Sequence, residues 1–395
     1  MRLLYVVREE CDTKRPDVYT LFGKLLPALG VESDLLACPV VDQLPCDWPG
    51  GEMVLSPRLA DGLKTKFWRI FFPLALFKAK KNFDAIVVRD KALSGVFFLF
   101  CARLFRVPMI YWASYPVGAA YESLSLLTKH PVKKHFYRIR GMLSRYVVDK
   151  LLIPKSRLSF LQSKEMVDQY ITNGVPARNL VPVPMCVEWN KVSSFQDKIN
   201  WAVKQDADCK LVYLGTLDLR REPLFMLRVL GHLRSDYPDL KMVFVGDFPT
   251  EWERKEVLRN IDEMALQDAV EITGWLPQEK AWQHLCGNVI GLSAIPVNDL
   301  YQVSSPTKTI EYLALGVPAV VTPIPDQLVV IEESGAGVCA DMQVEAFAAA
   351  VATLLDDPVR RAAMAKRGVE YVREKRTYEV SSQQIYQHLQ AIRAD

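Results

Sequence analysis

Paired cysteines are the first thing missing from this 395-residue sequence. Its eight cysteines, at 11, 38, 46, 101, 186, 209, 286 and 339, are scattered, and no C-x-x-C spacing occurs. That pattern argues against a thiolate zinc site and a disulfide framework, and for a reducing compartment. Low-complexity runs and sustained short-period repeats are also absent. The opening Met-Arg-Leu-Leu-Tyr-Val-Val is too short an apolar run for a signal peptide and reads as a first β-strand. No nucleic-acid-binding motif appears, and the formal net charge is only +3, so nucleic acid is not expected as a partner.

The small net charge hides an asymmetry. Residues 1–190 carry 27 Lys and Arg against 17 Asp and Glu, while the remainder carries 22 against 29. A basic half and an acidic half suggest different partners. At this length two domains are expected. Apolar runs without polar alternation recur near 2–7, 33–37, 85–88, 109–112, 158–162 and 180–183, and again at 210–214, 241–245, 269–273, 289–294, 319–322 and 337–339. In the second half, helical stretches near 223–235, 252–266, 278–286, 306–315 and 326–334 separate them. Such alternation predicts an α/β protein whose parallel sheets are covered on both faces. The Pro-rich run Val181-Pro-Val-Pro-Met-Cys-Val-Glu marks a hinge. The expected organisation is a first Rossmann-like domain over 1–184, a second over 185–378, and a terminal helix over 379–395 packing back on the first. Two such halves would face a ligand cleft at the carboxyl ends of their strands.

Residues 305–318, Ser-Pro-Thr-Lys-Thr-Ile-Glu-Tyr-Leu-Ala-Leu-Gly-Val-Pro, read as one short helix with both ends marked. Ser305 suits the N-cap, Pro306 the first turn, Gly316 a left-handed close, and Pro318 stops continuation. Ile310, Leu313, Ala314 and Val317 fall on a core-facing stripe, and Thr307, Lys308 and Glu311 on the other side. A lysine in the first turn is disfavoured by the helix dipole unless an anion sits at the free N–H groups. The alternative is an exposed Lys308–Glu311 pair contributing about 0.3 kcal/mol.

Four segments, in order, carry a resemblance. Tyr213-Leu-Gly-Thr-Leu-Asp-Leu-Arg-Arg-Glu resembles the first strand and phosphate loop of the second domain in GT-B glycosyltransferases of family 4 (group 1). Val243-Phe-Val-Gly-Asp resembles the next strand and turn, and Val270-Glu-Ile-Thr-Gly-Trp-Leu-Pro the base-binding loop. Pro306 to Pro318 resembles the nucleotide-diphosphate helix of the Pro-x-Lys-x-x-Glu-Tyr subgroup. The resemblance implies a metal-independent, retaining enzyme that uses a UDP- or GDP-sugar as substrate, without a cofactor. Arg221 and Lys308 would stabilise the departing diphosphate. Gly215, Thr216, Arg220, Gly274, Trp275, Thr307, Thr309 and Glu311 would complete the donor site, Glu311 receiving the ribose hydroxyls.

The departures are specific. Val303 stands where many relatives have an acid, Thr216 where an arginine is common, and Cys186 where the linker has a glycine. Arg8-Glu9-Glu10-Cys11-Asp12 replaces a Gly-Gly loop, and Ser114 or Tyr115 occupies the neighbourhood of a first-domain histidine. Arg89 and Asp90, with Ser114 and Tyr115, are the candidates for the acceptor side, a satisfied turn pair being the alternative for Arg89 and Asp90. Residues 64–83 place aromatics between lysines and arginines, and 129–145 add Lys133, Lys134, Arg138 and Arg140. Such segments suit an anionic membrane surface, or else core helices with solvated lysines. The expected protein is a cytoplasmic enzyme of polysaccharide biosynthesis, peripheral at the inner membrane face, with a glycan or lipid-linked acceptor. Its rivals are a GT-B nucleotide-sugar epimerase, disfavoured by Val303 and Ser114, and a catalytically degenerate GT-B binding protein.

Overall fold

The computed structural model describes residues 1–38, 47–55, 83–198 and 209–394. Its two compact units are Met1–Pro184 with Tyr378–Asp395, and Met185–Thr377. The aromatic run 64–82 lies outside the described residues.

Each unit is built on a parallel sheet. In the first, β1 (Arg2–Glu10), β2 (Glu32–Cys38), β3 (Met53–Leu55), β4 (Ala85–Arg89), β5 (Met109–Ala113), β6 (Leu158–Leu161) and β7 (Leu180–Pro182) lie in the order β3-β2-β1-β4-β5-β6-β7. In the second, β8 (Lys210–Leu214), β9 (Lys241–Val245), β10 (Val270–Ile272), β11 (Val289–Ser293), β12 (Ala319–Val321) and β13 (Gly337–Cys339) lie in the order β10-β9-β8-β11-β12-β13. The helices used below are α1 (Val117–Leu127), α2 (Pro131–Val147), α3 (Pro223–Leu233), α4 (Gln278–Gln283), α5 (Thr307–Ala314) and α6 (Tyr378–Ala394).

Burial explains the apolar runs. Along β8, Leu211 and Tyr213 enter one apolar core while Val212 enters another on the opposite face. A strand covered on both sides has no solvent face on which to alternate polar residues. The strand order reverses beside the first strand of each sheet, between β1 and β4 and between β8 and β11. Crossovers leave such a point in opposite directions, opening a crevice at the carboxyl ends of the strands. Buried charged side chains collect at both points.

Three differences from expectation have physical causes. The three-residue β3 and the helices α1 and α2 were not foreseen: β3 is too short for a period, and α2 has an unusual outward apolar stripe. Cys11 is disulfide-bonded, whereas six other cysteines are free, so scattered spacing did not exclude a bridge formed through the fold. The segment from Pro131 does not stay solvated only by its lysines, because its large apolar residues are exposed as well. The terminal helix α6 packs on the helical stretch Pro16–Leu25 within the first unit.

Candidate functional site

In the second unit the site begins where β8 ends. Gly215 has φ +131°, a conformation that costs glycine little, and its amide donates to Val245 O at 2.9 Å. The following strand approaches so closely that a Cβ on Gly246 would lie 2.0 Å from Gly215 O. Two glycine backbones therefore form the floor. The chain then turns through Asp218, whose carboxylate accepts from the Arg220 amide at 2.9 Å, and through Glu222 in the left-handed region at φ +55°. These turns part the two arginines. Arg220 reaches back to pair with Asp218, its Nε donating at 2.9 Å. Arg221 turns inward instead. A Cβ on Gly215 would lie 3.7 Å from both Arg221 Nη1 and Lys308 Nζ, which places both side chains beside the backbone of Gly215.

Lys308 arrives on α5. Tyr312, fully buried one turn on, anchors this helix: its hydroxyl accepts from the Leu214 amide at 2.7 Å and lies within 3.1 Å of Leu292 O. The end of β8, the end of β11 and α5 are thus tied by one phenol. The helix starts one residue later than expected. Pro306 is its N-cap, and Ser305 does not cap it, because Ser305 Oγ accepts from the Met185 amide at 2.9 Å and donates to Asp326 at 2.7 Å. Gly316 closes the helix at φ +70°. Ile310, Leu313, Ala314 and Val317 are buried, as their spacing predicts.

The polar face is not solvated. Lys308 and Glu311 are both buried, which overturns the exposed-pair reading. Lys308 Nζ lies 3.6 Å from the centroid of the Tyr213 ring and has no hydrogen-bond partner among the described residues. Burial, and then the Arg221 charge, push its pKa well below that of an ordinary lysine, with Glu311 opposing. Glu311 Oε1 accepts from Gln278 Nε2 at 2.7 Å and from Trp282 Nε1 at 3.1 Å. Burial raises its pKa, against those two donors and the charges of Lys191 and Lys308. Lys191 Nζ in turn donates to Gln278 Oε1 at 2.7 Å. Gln278, Trp282 and Tyr312 were missed in the sequence. Gln278 and Trp282 stand four apart on α4, a spacing that puts both on one helix face and was the available signal.

The remaining predicted residues divide. Thr307 is partly exposed at the start of α5, but Thr309 is buried and its hydroxyl donates to Gln327 at 2.9 Å, leaving only its backbone for a ligand. Thr216 is exposed, its carbonyl accepting from Tyr213 OH at 3.2 Å. Gly274 turns at φ +72°, and Trp275 stands out with 75% of its surface exposed. The arrangement offers an anion two cations, a bare backbone loop and a helix start, with a carboxylate fixed one turn further along. Among the described residues no group of three or more His, Cys, Asp and Glu is placed to hold a metal ion.

The first unit gathers a second group at the ends of β1, β4 and β5. Arg89 is wholly buried and donates to Glu9, to Asp17 and, at 2.8 Å, to Ser114 Oγ. It is closed in rather than part of an open surface, and its hydrogen-bond partners are Glu9, Asp17 and Ser114 rather than a turn pair with Asp90, which stays 3.8 Å away. Asp90, in the left-handed region at φ +52°, accepts from the Ser114 amide at 2.9 Å and from the Ser114 hydroxyl. Tyr115 is exposed nearby in sequence. Burial would raise the pKa of Asp17 and Glu9, but Arg89 and Arg15 together outweigh it and both end below the ordinary range. Asp90 goes the other way, raised by burial. Asp17 was missed; it occupies the first turn of the stretch Pro16–Leu25, directly after β1.

Comparison with known proteins agrees with this fold. Residues 194–371 match the family model described as "Glycosyl transferases group 1". No curated protein matches the sequence. Among solved structures, sucrose-phosphate synthase from Thermosynechococcus elongatus superposes with TM-score 0.73 at 16% identity, covering 100% of this chain and 99% of that one. HepE of Anabaena, solved in complex with UDP and glucose, gives 0.69 at 14% identity over 99% and 100% of the chains. WaaG, a glycosyltransferase involved in lipopolysaccharide biosynthesis, gives 0.67 at 12% identity over 97% and 98%. The second unit thus matches the glycosyl transferases group 1 model, and the chain as a whole has the GT-B fold.

Proposed function

We propose that the protein is a retaining, metal-independent glycosyltransferase of family 4 that moves a sugar from a nucleoside-diphosphate sugar to a glycan or lipid-linked acceptor. The observation that carries this reading is Lys308: an amine without a hydrogen-bond partner, buried beside Arg221 and a glycine loop at the switch point of a parallel sheet. Two neighbouring cations need an anion of more than one charge, and a diphosphate is such a group. As the glycosidic bond breaks, negative charge gathers on the leaving phosphate. Lys308, Arg221 and the start of α5 stabilise that charge more than they stabilise the intact donor, which lowers the barrier. The leaving phosphate itself accepts the acceptor's proton, so no separate base is needed on that face. Glu311, held by Gln278 and Trp282, receives the ribose hydroxyls. A UDP-sugar is the favoured donor, supported by HepE, which was solved with UDP-glucose.

The acceptor side includes a membrane contact through α2. Val132, Phe136, Ile139, Leu143 and Tyr146 recur along it at three- and four-residue steps and are all exposed. Lys133, Arg138 and Arg140 stand to the sides of the stripe, and the helix has no acidic residue. Its inner face carries Gly141 and Ser144 instead, packed on α1. An apolar stripe bordered by cations fits the boundary of an anionic bilayer. No helix among the described residues is long and apolar enough to cross a membrane.

The test of the donor site is a thermal-shift titration with UDP, GDP, ADP and their sugars on the wild type and Lys308→Ala. Ligand at a hundred times its dissociation constant stabilises by about 2.7 kcal/mol. One nucleotide shifting the wild type but not the variant is the expected result. If none shifts the wild type, the donor-site reading fails and a binding-only protein takes its place.

A further inference from the structure

Lys308 is the one site cation that can surrender its charge. The groups facing it are the Tyr213 ring from β8, the Arg221 guanidinium from the turn after β8, and Glu311 from the next turn of its own helix. Lys191 faces Glu311 through Gln278 rather than Lys308. Glu311 Oε1 is already engaged by Gln278 and Trp282. Lys308 Nζ is therefore left without an acceptor, behind an aromatic ring and beside a second positive charge. A charged ammonium in that position has lost its hydration and gained no hydrogen bond, whereas the neutral amine loses far less. Arginine does not deprotonate in proteins, so relief of the repulsion falls to the lysine.

We propose that a nucleoside diphosphate enters this site together with one proton, taken from solvent onto Lys308 Nζ. The inference rests on the donor-site reading given above. In the free protein burial and the Arg221 charge favour the neutral amine more than in an ordinary lysine. The arriving phosphate oxygens supply the missing acceptors and an opposite charge, so the ammonium form becomes favourable and a proton adds to the nitrogen lone pair. No other bond changes. Burial and Arg221 set the direction in the free state, Glu311 opposing. Because the bound state holds more protons than the free state, affinity weakens as pH rises. With full uptake the change is about tenfold per pH unit, between the free and bound pKa values of Lys308. Below the free value the lysine is already charged and the dependence vanishes.

Isothermal titration of the full chain with UDP at roughly pH 8 tests this, since the second phosphate ionisation near 6 is then complete. Running it in Hepes and in Tris, whose ionisation enthalpies differ, gives the number of protons taken up from the difference in heat. The wild type should take up between half a proton and one, on the order set by single-site linkage. Lys308→Arg, which keeps its charge in both states, should bind UDP with no buffer dependence. Lys308→Met serves if that variant does not fold, and its residual binding should also be buffer-independent. Measurable UDP binding by the wild type without buffer dependence overturns the proposal, as does a buffer dependence that survives in the variants. Absence of binding by UDP, GDP and ADP alike defeats the donor-site reading itself, and this inference with it.

Discussion

Two buried basic side chains show what pairing decides. Arg89 is surrounded by Glu9, Asp17 and Ser114, and its charge is answered within the fold. Lys308 Nζ has no hydrogen-bond partner among the described residues. Opposite mutational outcomes follow. Lys308→Met should raise the stability of the ligand-free protein by about 1–3 kcal/mol, the cost of burying a polar group without a partner. It should also shrink the thermal shift given by UDP; a destabilised variant would contradict this. Arg89→Met should cost about 3–5 kcal/mol, because it leaves buried carboxylates uncompensated. The pH dependence has a definite sign. Asp17 and Glu9 titrate below their ordinary values, so the stability they contribute is present above about pH 4 and lost as pH falls through their folded values. In Arg89→Met the deficit should therefore narrow on acidification, which urea titrations at pH 7 and at roughly pH 3.5 would read. Lys308, Arg221 and Arg89 were legible in the sequence as candidates, whereas Asp17 was not. What was not legible is which arginine of the pair 220 and 221 turns inward, since a neighbouring carboxylate, Asp218, takes Arg220.

At the scale of elements, α5 and α2 were legible to different degrees. The cap residues and apolar spacing of α5 are local, so the sequence marks the helix to within a residue of each end. Its position over the ends of β8 and β11 depends on Tyr312, a contact 98 residues away in the chain that no local pattern can reveal. Tyr312→Phe should cost about 1–2 kcal/mol, leaving the Leu214 amide without its acceptor. It should also weaken UDP binding in calorimetry by letting Lys308 drift; unchanged affinity with full loss of stability would mean that the phenol only packs. The inversion of α2 has a packing cause. Gly118 and Gly141 let α1 and α2 approach so closely that a Cβ on Gly118 would lie 2.9 Å from the Arg145 backbone. The large side chains are displaced to the outer face. Ile139→Asp should therefore leave the melting temperature almost unchanged while reducing sedimentation with vesicles containing an anionic lipid. Loss of folding in that variant would show the stripe to be core.

At the scale of the molecule, the last helix belongs to the first unit although the chain reaches it from the second. Tyr378, Ile385 and Leu389 of α6 are buried. Truncation after Thr377 should destabilise the first unit by about 2–5 kcal/mol, a loss comparable to removing one or two large core side chains. The thermal shift given by UDP on the second unit should survive; its loss would place part of the site on the truncated segment. The charge surplus of residues 1–190 makes any binding to anionic vesicles weaken as salt rises, since exposed charges are screened beyond about 10 Å at 0.1 M. By itself, the sequence determined what depends on neighbours along the chain. Apolar runs of four to six residues became strands covered on both faces, and caps and proline bounded α5. Tertiary structure alone decided what depends on distant approach. It brought Gly215, Arg221 and Lys308 together, buried Arg89 between carboxylates from two other elements, and turned the apolar stripe of α2 outward. Local propensity follows from steric and hydrogen-bond rules within a few residues. A charge's environment is set by whichever remote segments pack around it.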